Sequence, residues 1–275
     1  MKNKLKIYLP FSLLILLILV MPLIVMVLAS FQSINHPGFN LDNYRQIISN
    51  GYYHNAFINS FKIAIYSSVI SMVVAIIGAW ALTQLADSTK NILITIFNMS
   101  SSFAGVPLSF SLIILFGNAG MFKAITTALH LNDTFNVYSL SGLVTAYTFF
   151  EIPLGIMFLF PVFNGIDNEW HQASNVLGAS KNFYIRNVVL PFILPNLVQV
   201  LILLFANAMG AYETAYALTS NTVVSVPTLI GYCINGEINP NIPLACAFAT
   251  IFALIMWVMV TVGNLVIKRH KGGIR

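Results

Sequence analysis

Two carboxylates stand where charge is expensive. Glu151 lies 12 positions beyond Ser139 inside a long apolar run, so at about 1.5 Å per residue it is about 18 Å deep in a hydrocarbon core of about 30 Å. Leaving it ionised against lipid costs several kcal/mol, which makes it a functional candidate by default. As a carboxylate it attracts a cationic solute; as a protonated acid it bonds a neighbouring helix. Both roles are open. Pro153, two residues on, frees a backbone carbonyl beside it. Glu213 stands in the phrase GAYETAYALTS near the end of another apolar run, after Asn207 and Gly210 and next to Tyr212. It is cheaper to hold charged there. Two such carboxylates suit a cation if both face one route, and Glu151, Asn207, Tyr212 and Glu213 are the candidate lining residues.

Other chemistries lack their residues. The sequence has no Gly-x4-Gly-Lys-Ser/Thr phosphate loop, no His-Glu-x-x-His, no Cys-x-x-Cys and no Gly-x-Ser-x-Gly. The histidines His36, His54, His130, His171 and His270 are scattered, so no metal site is expected. Neither ATP hydrolysis by this chain nor intramembrane catalysis is expected. Cys233 and Cys246 form no framework and are expected to stay unpaired.

The elements that must position these residues are membrane helices. Of 275 residues, 58% are hydrophobic and 8% charged, with a mean hydropathy of +0.83, whereas a soluble domain carries about 25% charged residues. Six apolar runs are long enough to cross: Tyr8 to Phe31, Ile58 to Thr83, Ile92 to Asn118, Leu140 to Phe163, Phe192 to Tyr212 and Leu244 to Ile267. The expected fold is an all-α integral membrane protein, one transmembrane domain over residues 1–275. The first run is too long for a signal-peptide core and is read as a retained span. Gly105, Pro107 and Gly117 predict a kinked third span. Short helices are expected between Ala119 and Ser139 and near Thr228 to Cys233.

Charge sets the orientation. With the amino end inside, the inner segments hold Lys2, Lys4, Lys6, Lys90, Lys181, Arg186, Lys268, Arg269, Lys271 and Arg275, and the outer side only Arg45, Lys62 and Lys123. With that bias both termini are expected in the cytoplasm, with the chain multi-pass in the plasma membrane. The net charge of +5 reflects this topology and calls for no nucleic-acid partner.

Between the fourth and fifth spans lies a polar island, Gly165 to Pro195, on the cytoplasmic side. Its first half places Trp170, Ala173, Val176 and Leu177 at helical spacing after an N-cap at Asp167, and it stops at Gly178. A second short helix follows from Ser180, carrying Phe183, Ile185, Val188 and Val189, until Pro191 and Pro195 open the next span. Two short helices hinged at a glycine, exposed to water, need a partner there.

The run Gln172, Ala173, Ser174, three residues, Gly178, nine residues, Val188, Val189, Leu190, Pro191 resembles the EAA loop of permease subunits of ATP-binding-cassette (ABC) importers. That pattern is Glu-Ala-Ala, three residues, Gly, nine residues, Ile, any residue, Leu, Pro. Gln172 replaces the glutamate, Ser174 the second alanine and Val188 the isoleucine. The phrases Gly-Phe-Asn-Leu-Asp-Asn-Tyr44 and GVPLSFSLIILFG are similar to the same family in order. The resemblance implies a coupling loop over residues 165–191, in which Gln172, Ala173, Ser174, Gly178, Leu190 and Pro191 serve docking to a separate ATPase. It further implies a second permease subunit, identical or paralogous, an extracytoplasmic binding protein that delivers solute, and ATP and Mg bound by the ATPase, with no cofactor in this chain. Leu177-Gly-Ala-Ser180 looks more like the polyamine, ferric-iron, thiamine and aminoethylphosphonate branch than the sugar branch. A sugar solute, or an ATP-independent carrier or channel, is the alternative.

Overall fold

The computed structural model describes Pro10 and residues 13–34, 38–130, 135–220, 222–236 and 240–272. Lys2, Lys4, Lys6, His36, Pro37, Asp133, Asn221 and Arg275 lie outside the described residues, as do the side chains of Lys268, Arg269, His270 and Lys271. Among the described residues every regular element is a helix, apart from one isolated antiparallel bridge between Gln32 and Phe39. In chain order these are α1 (Leu13–Ser30), α2 (Asp42–Ser49), α3 (Gly51–Thr83), α4 (Asp87–Ser101), α5 (Val106–Phe116), α6 (Met121–Ala128), α7 (Leu140–Asn164), α8 (Asn168–Val176), α9 (Lys181–Gly210), α10 (Tyr212–Thr219), α11 (Val226–Asn235) and α12 (Ile242–Gly272). Among the described residues six stretches are long and apolar enough to cross a membrane: α1, α3, Val106–Ala128, α7, α9 and α12 from Ile242 to Leu265.

The chain divides into two compact units, residues 1–57 with 224–257, and residues 58–223 with 258–275. In the first, α2 is pinned to the end of α1 by hydrogen bonds. Asn43, buried, donates from Nδ2 to Ser30 O at 3.0 Å and Gln32 O at 2.6 Å, and the Ser30 and Tyr44 hydroxyls lie 2.6 Å apart. The Leu-Asp-Asn-Tyr phrase therefore satisfies backbone carbonyls that α1 leaves open at its end. Around Phe248 pack Ile47, Ala56, Val226, Leu229, Leu244 and Ala247, with the Tyr53 ring edge-on at 4.9 Å. Ser225 and Thr228 form a reciprocal capping box that starts α11. Cys233 and Cys246 are unpaired.

In the second unit α7 packs along α4 and α9, and α3 closes against it. Small residues on α3 let the two backbones close: a methyl group placed on Gly155 would stand 2.8 Å from the Ala75 methyl, and one on Gly78 would stand 2.7 Å from Ile156 Cδ1. Met72, Ala79 and Leu82 of α3, Leu159 and Phe163 of α7, and Ile193, Val200 and Leu204 of α9 continue this core.

Two expectations change. The third run is not one kinked helix. It breaks at residues 102–105 into α4 and α5, because Gly105 takes φ +80° and Pro107 falls in the first turn of α5, where a missing N–H costs nothing. Pro191 likewise fails to end the second short helix of the island. Residues Ile185–Val189 widen into a π-helical turn in which the Leu190 N–H bonds to Ile185 O, and α9 runs on through Pro191 and Pro195. The wider turn makes room for a ring that would strike a carbonyl in α-helical register.

The tightness of the α3–α7 contact is testable. Gly155→Val is expected to cost about 1–3 kcal/mol by overpacking, seen as a lowered unfolding temperature of the detergent-purified chain. Gly210→Ala, with nothing within 4 Å of the added carbon, should stay within about 0.5 kcal/mol.

Candidate functional site: a glycine-hinged helix pair and a polar stripe

The island folds as its caps dictate. Asp167 accepts from the Glu169 N–H at 2.9 Å and starts α8; Ser180 accepts from the Phe183 N–H at 3.3 Å and starts α9. Between them Gly178 adopts φ +72°, which lets its own N–H reach Asn175 O at 3.0 Å and that of Ala179 reach Ser174 O at 3.0 Å. Two ring contacts tie α8 to the beginning of α9: Trp170 meets Phe192 edge-on at 5.1 Å, and His171 meets Tyr184 at 5.0 Å. The pair is thus a braced hairpin. Its tip is apolar and bare, with Val176 88% and Leu177 85% exposed, flanked by exposed Gln172 and Ala173 and half-buried Ser174. Leu190 and Pro191 sit at the hairpin's far end, where α9 leaves the π-helical turn. Exposed apolar side chains beside polar neighbours make this tip a candidate for contact with another protein.

The second feature is a helix break. α9 stops at Gly210, Ala211 takes ψ 91°, and α10 restarts at Tyr212. The Tyr147 hydroxyl donates to Ala211 O, capturing a carbonyl freed by the break. Thr214 anchors α10 to α5: its hydroxyl accepts from the Gly105 N–H at 3.0 Å, and its carbonyl accepts from the Ser109 hydroxyl at 3.2 Å. The Glu213 carboxylate lies directly over Gly105, whose lack of a side chain leaves room for it. Asn207, Gly210, Glu213 and Tyr216 are all exposed and follow at helical spacing, while Tyr212 stacks on Tyr216 with centroids 5.4 Å apart. A polar stripe on so apolar a helix has no favourable partner in lipid.

Glu151 is placed elsewhere. It is wholly buried between α7 and α3, flanked by Ser67 and Ser71, whereas Asn207 and Glu213 are exposed. The serines were overlooked in the sequence. Ser60, Ala64, Ser67, Ser71, Ala75, Gly78 and Ala79 repeat at three- and four-residue steps along one face of α3, and that run of small residues was the available signal. No cluster of His, Cys, Asp or Glu able to hold a metal occurs among the described residues.

If Gly178 is needed for its backbone conformation, Gly178→Ala should cost about 1–2 kcal/mol locally. Hydrogen exchange should then speed up at residues 178 and 179, while the α3–α7 core stays protected.

Comparison with known proteins identifies the family. Residues 76–275 match the family described as "Binding-protein-dependent transport system inner membrane component". Over 190 residues the chain is 29% identical to the trehalose transport system permease protein SugB of Mycobacterium tuberculosis (strain CDC 1551 / Oshkosh), covering 69% of this chain and 64% of that one. The chain thus spans less than two thirds of the first curated relatives it matches. A spermidine/putrescine transport system permease protein PotC homolog of Mycoplasma pneumoniae (strain ATCC 29342 / M129 / Subtype 1) is 23% identical over 276 residues, 95% of this chain and 89% of that one. Among solved structures, a bacterial ABC transporter involved in the import of the acidic polysaccharide alginate shares the fold, with TM-score 0.80 and 16% identity over 96% of this chain and 94% of that one. With its matching segment covering well over half of the sequence, this chain belongs to the family of binding-protein-dependent transport system inner membrane components, the permease subunits of ABC importers.

Proposed function

We propose that this chain is one of two permease subunits of an ATP-driven importer, the second being identical or paralogous, and that it forms part of the route for a small charged solute. A polyamine, ferric iron, thiamine or an aminoethylphosphonate-like compound fits the reading, delivered by an extracytoplasmic binding protein. The observation that carries it is the bare apolar tip at Val176 and Leu177 on a hairpin braced to the fifth span. In this reading both termini and the hairpin are cytoplasmic, and Gln172, Ala173, Ser174, Gly178, Leu190 and Pro191 belong to the surface that meets the ATPase. ATP and Mg are bound by that partner, and this chain does no catalysis. Closure of the ATPase pair moves the hairpin, the braced rings carry the motion into α9, and the spans open outward to take solute. Hydrolysis resets them inward.

For the route itself, the exposed stripe Asn207, Glu213 and Tyr216 with its neighbour Tyr212 supplies a carboxylate and aromatic faces, both of which favour a cation. A sugar is the second reading, favoured by the trehalose permease among the relatives.

Two measurements test this. Val176→Asp and Leu177→Asp remove almost no contact within the chain, so membrane insertion should persist while copurification of an ATPase and solute uptake are lost. Full copurification and uptake would overturn the docking role. In cells carrying the whole transporter, Glu213→Gln should lower spermidine uptake roughly fivefold, the equivalent of about 1 kcal/mol for a partly exposed ion pair. Unchanged trehalose uptake by both forms, with no spermidine uptake, would establish the sugar reading.

A further inference from the structure

Glu151 is the most costly side chain in the second unit, and the docking and route roles do not use it. It is 0% exposed, and neither carboxyl oxygen has a hydrogen-bond partner among the described residues. Ser67 and Ser71, one helical turn apart on α3, flank it, but the Ser67 hydroxyl bonds to Ala64 O at 3.4 Å and that of Ser71 to Thr148 O at 3.5 Å. Both bonds are long, so either hydroxyl can turn to the carboxyl at little cost. One turn along the same seam the helices close at Ala75 and Gly155; one turn the other way stands Tyr147, buried, with its hydroxyl on Ala211 O.

The charge census around it is short. Lys62 and Tyr66 of α3 are exposed, and Asp87 and Lys90 of α4 pair with each other at 3.0 Å. α5 has no ionisable residue, nor has α9 between Leu190 and Gly210, and the Glu213 carboxylate of α10 lies against Gly105. On its own helix the ionisable neighbour is Tyr147. Among the described residues no cation pairs with the carboxyl and no backbone N–H bonds to it, so an ionised Glu151 would be a poorly compensated buried charge.

We propose that Glu151, with Ser67 and Ser71, is an internal proton-binding site whose carboxyl carries its proton while α3 and α7 are packed. This goes beyond the docking and route roles and depends on neither. The carboxylate takes a proton from hydronium, leaving water. The neutral acid then has one O–H to donate and one carbonyl to accept with, matching two serine hydroxyls that can each do either. A metal ion is the poorer occupant. It needs several oxygens at fixed distances and must shed its water to enter a seam closed at Ala75 and Gly155, whereas a proton can be handed along hydroxyls.

The test is infrared spectroscopy of the purified whole transporter in lipid. The wild type should show a carboxylic-acid carbonyl stretch at about neutral pH that is missing from Glu151→Gln, the uncharged isostere. The double variant Ser67→Ala with Ser71→Ala keeps the acid but removes its partners, so the band should persist and move toward the frequency of an unbonded acid. It also serves if Glu151→Gln does not assemble. Absence of the band from the wild type, an unshifted band in the double-serine variant, or a carboxylate stretch that responds to sodium or potassium chloride and not to choline chloride would each overturn the proposal.

Discussion

The second unit depends on how closely α3 can approach α7. Lipid gives helices no hydrophobic reason to associate, so their contact rests on dispersion between close backbones and on the polar groups they cover. Ala75 against Gly155, and Gly78 against Ile156, set that distance. On one side of this closest approach the seam is filled by Leu82, Leu159 and Phe163; on the other it closes over Ser67, Ser71 and Glu151. Apolar core and buried acid are two consequences of one register.

Helix breaks are the second theme, and each is closed by a side chain from another element. The gap between α4 and α5 is met by Thr214, and the gap between α9 and α10 by Tyr147. Away from water a freed backbone group costs several kcal/mol, so an interruption survives only where such a partner waits. The breaks thereby become the points at which distant segments are fastened together. Exposed polar residues then gather beside them, as Glu213 does over Gly105.

Much of this was legible in the sequence, because composition and local chemistry determine it. Span length follows from hydropathy, and the hairpin follows from Asp167, Gly178 and Ser180, whose roles need only their nearest neighbours. What stayed hidden depends on residues far away. Gly105 reads as a kink until Thr214, 109 positions on, is seen to hold its N–H. Pro191 reads as a stop because a π-helical turn carries no residue signature of its own. Glu151 and Glu213 look alike as carboxylates in apolar runs, and only the packing of α3 separates the buried one from the exposed one. The serines beside Glu151 did carry a pattern, a small-residue face.

The π-helical turn at Ile185–Val189 also fixes an angle. An extra residue in one turn advances the helix by about 100° relative to a regular ladder. The bare tip at Val176 and Leu177 and the stripe at Asn207 are therefore set at a phase that a plain α-helix could not give. A helix with such an insertion can resolve it by passing the extra residue along its length, which rotates one end against the other without lengthening the rod. The hairpin is thus joined to its span through a coupling that can turn as well as push.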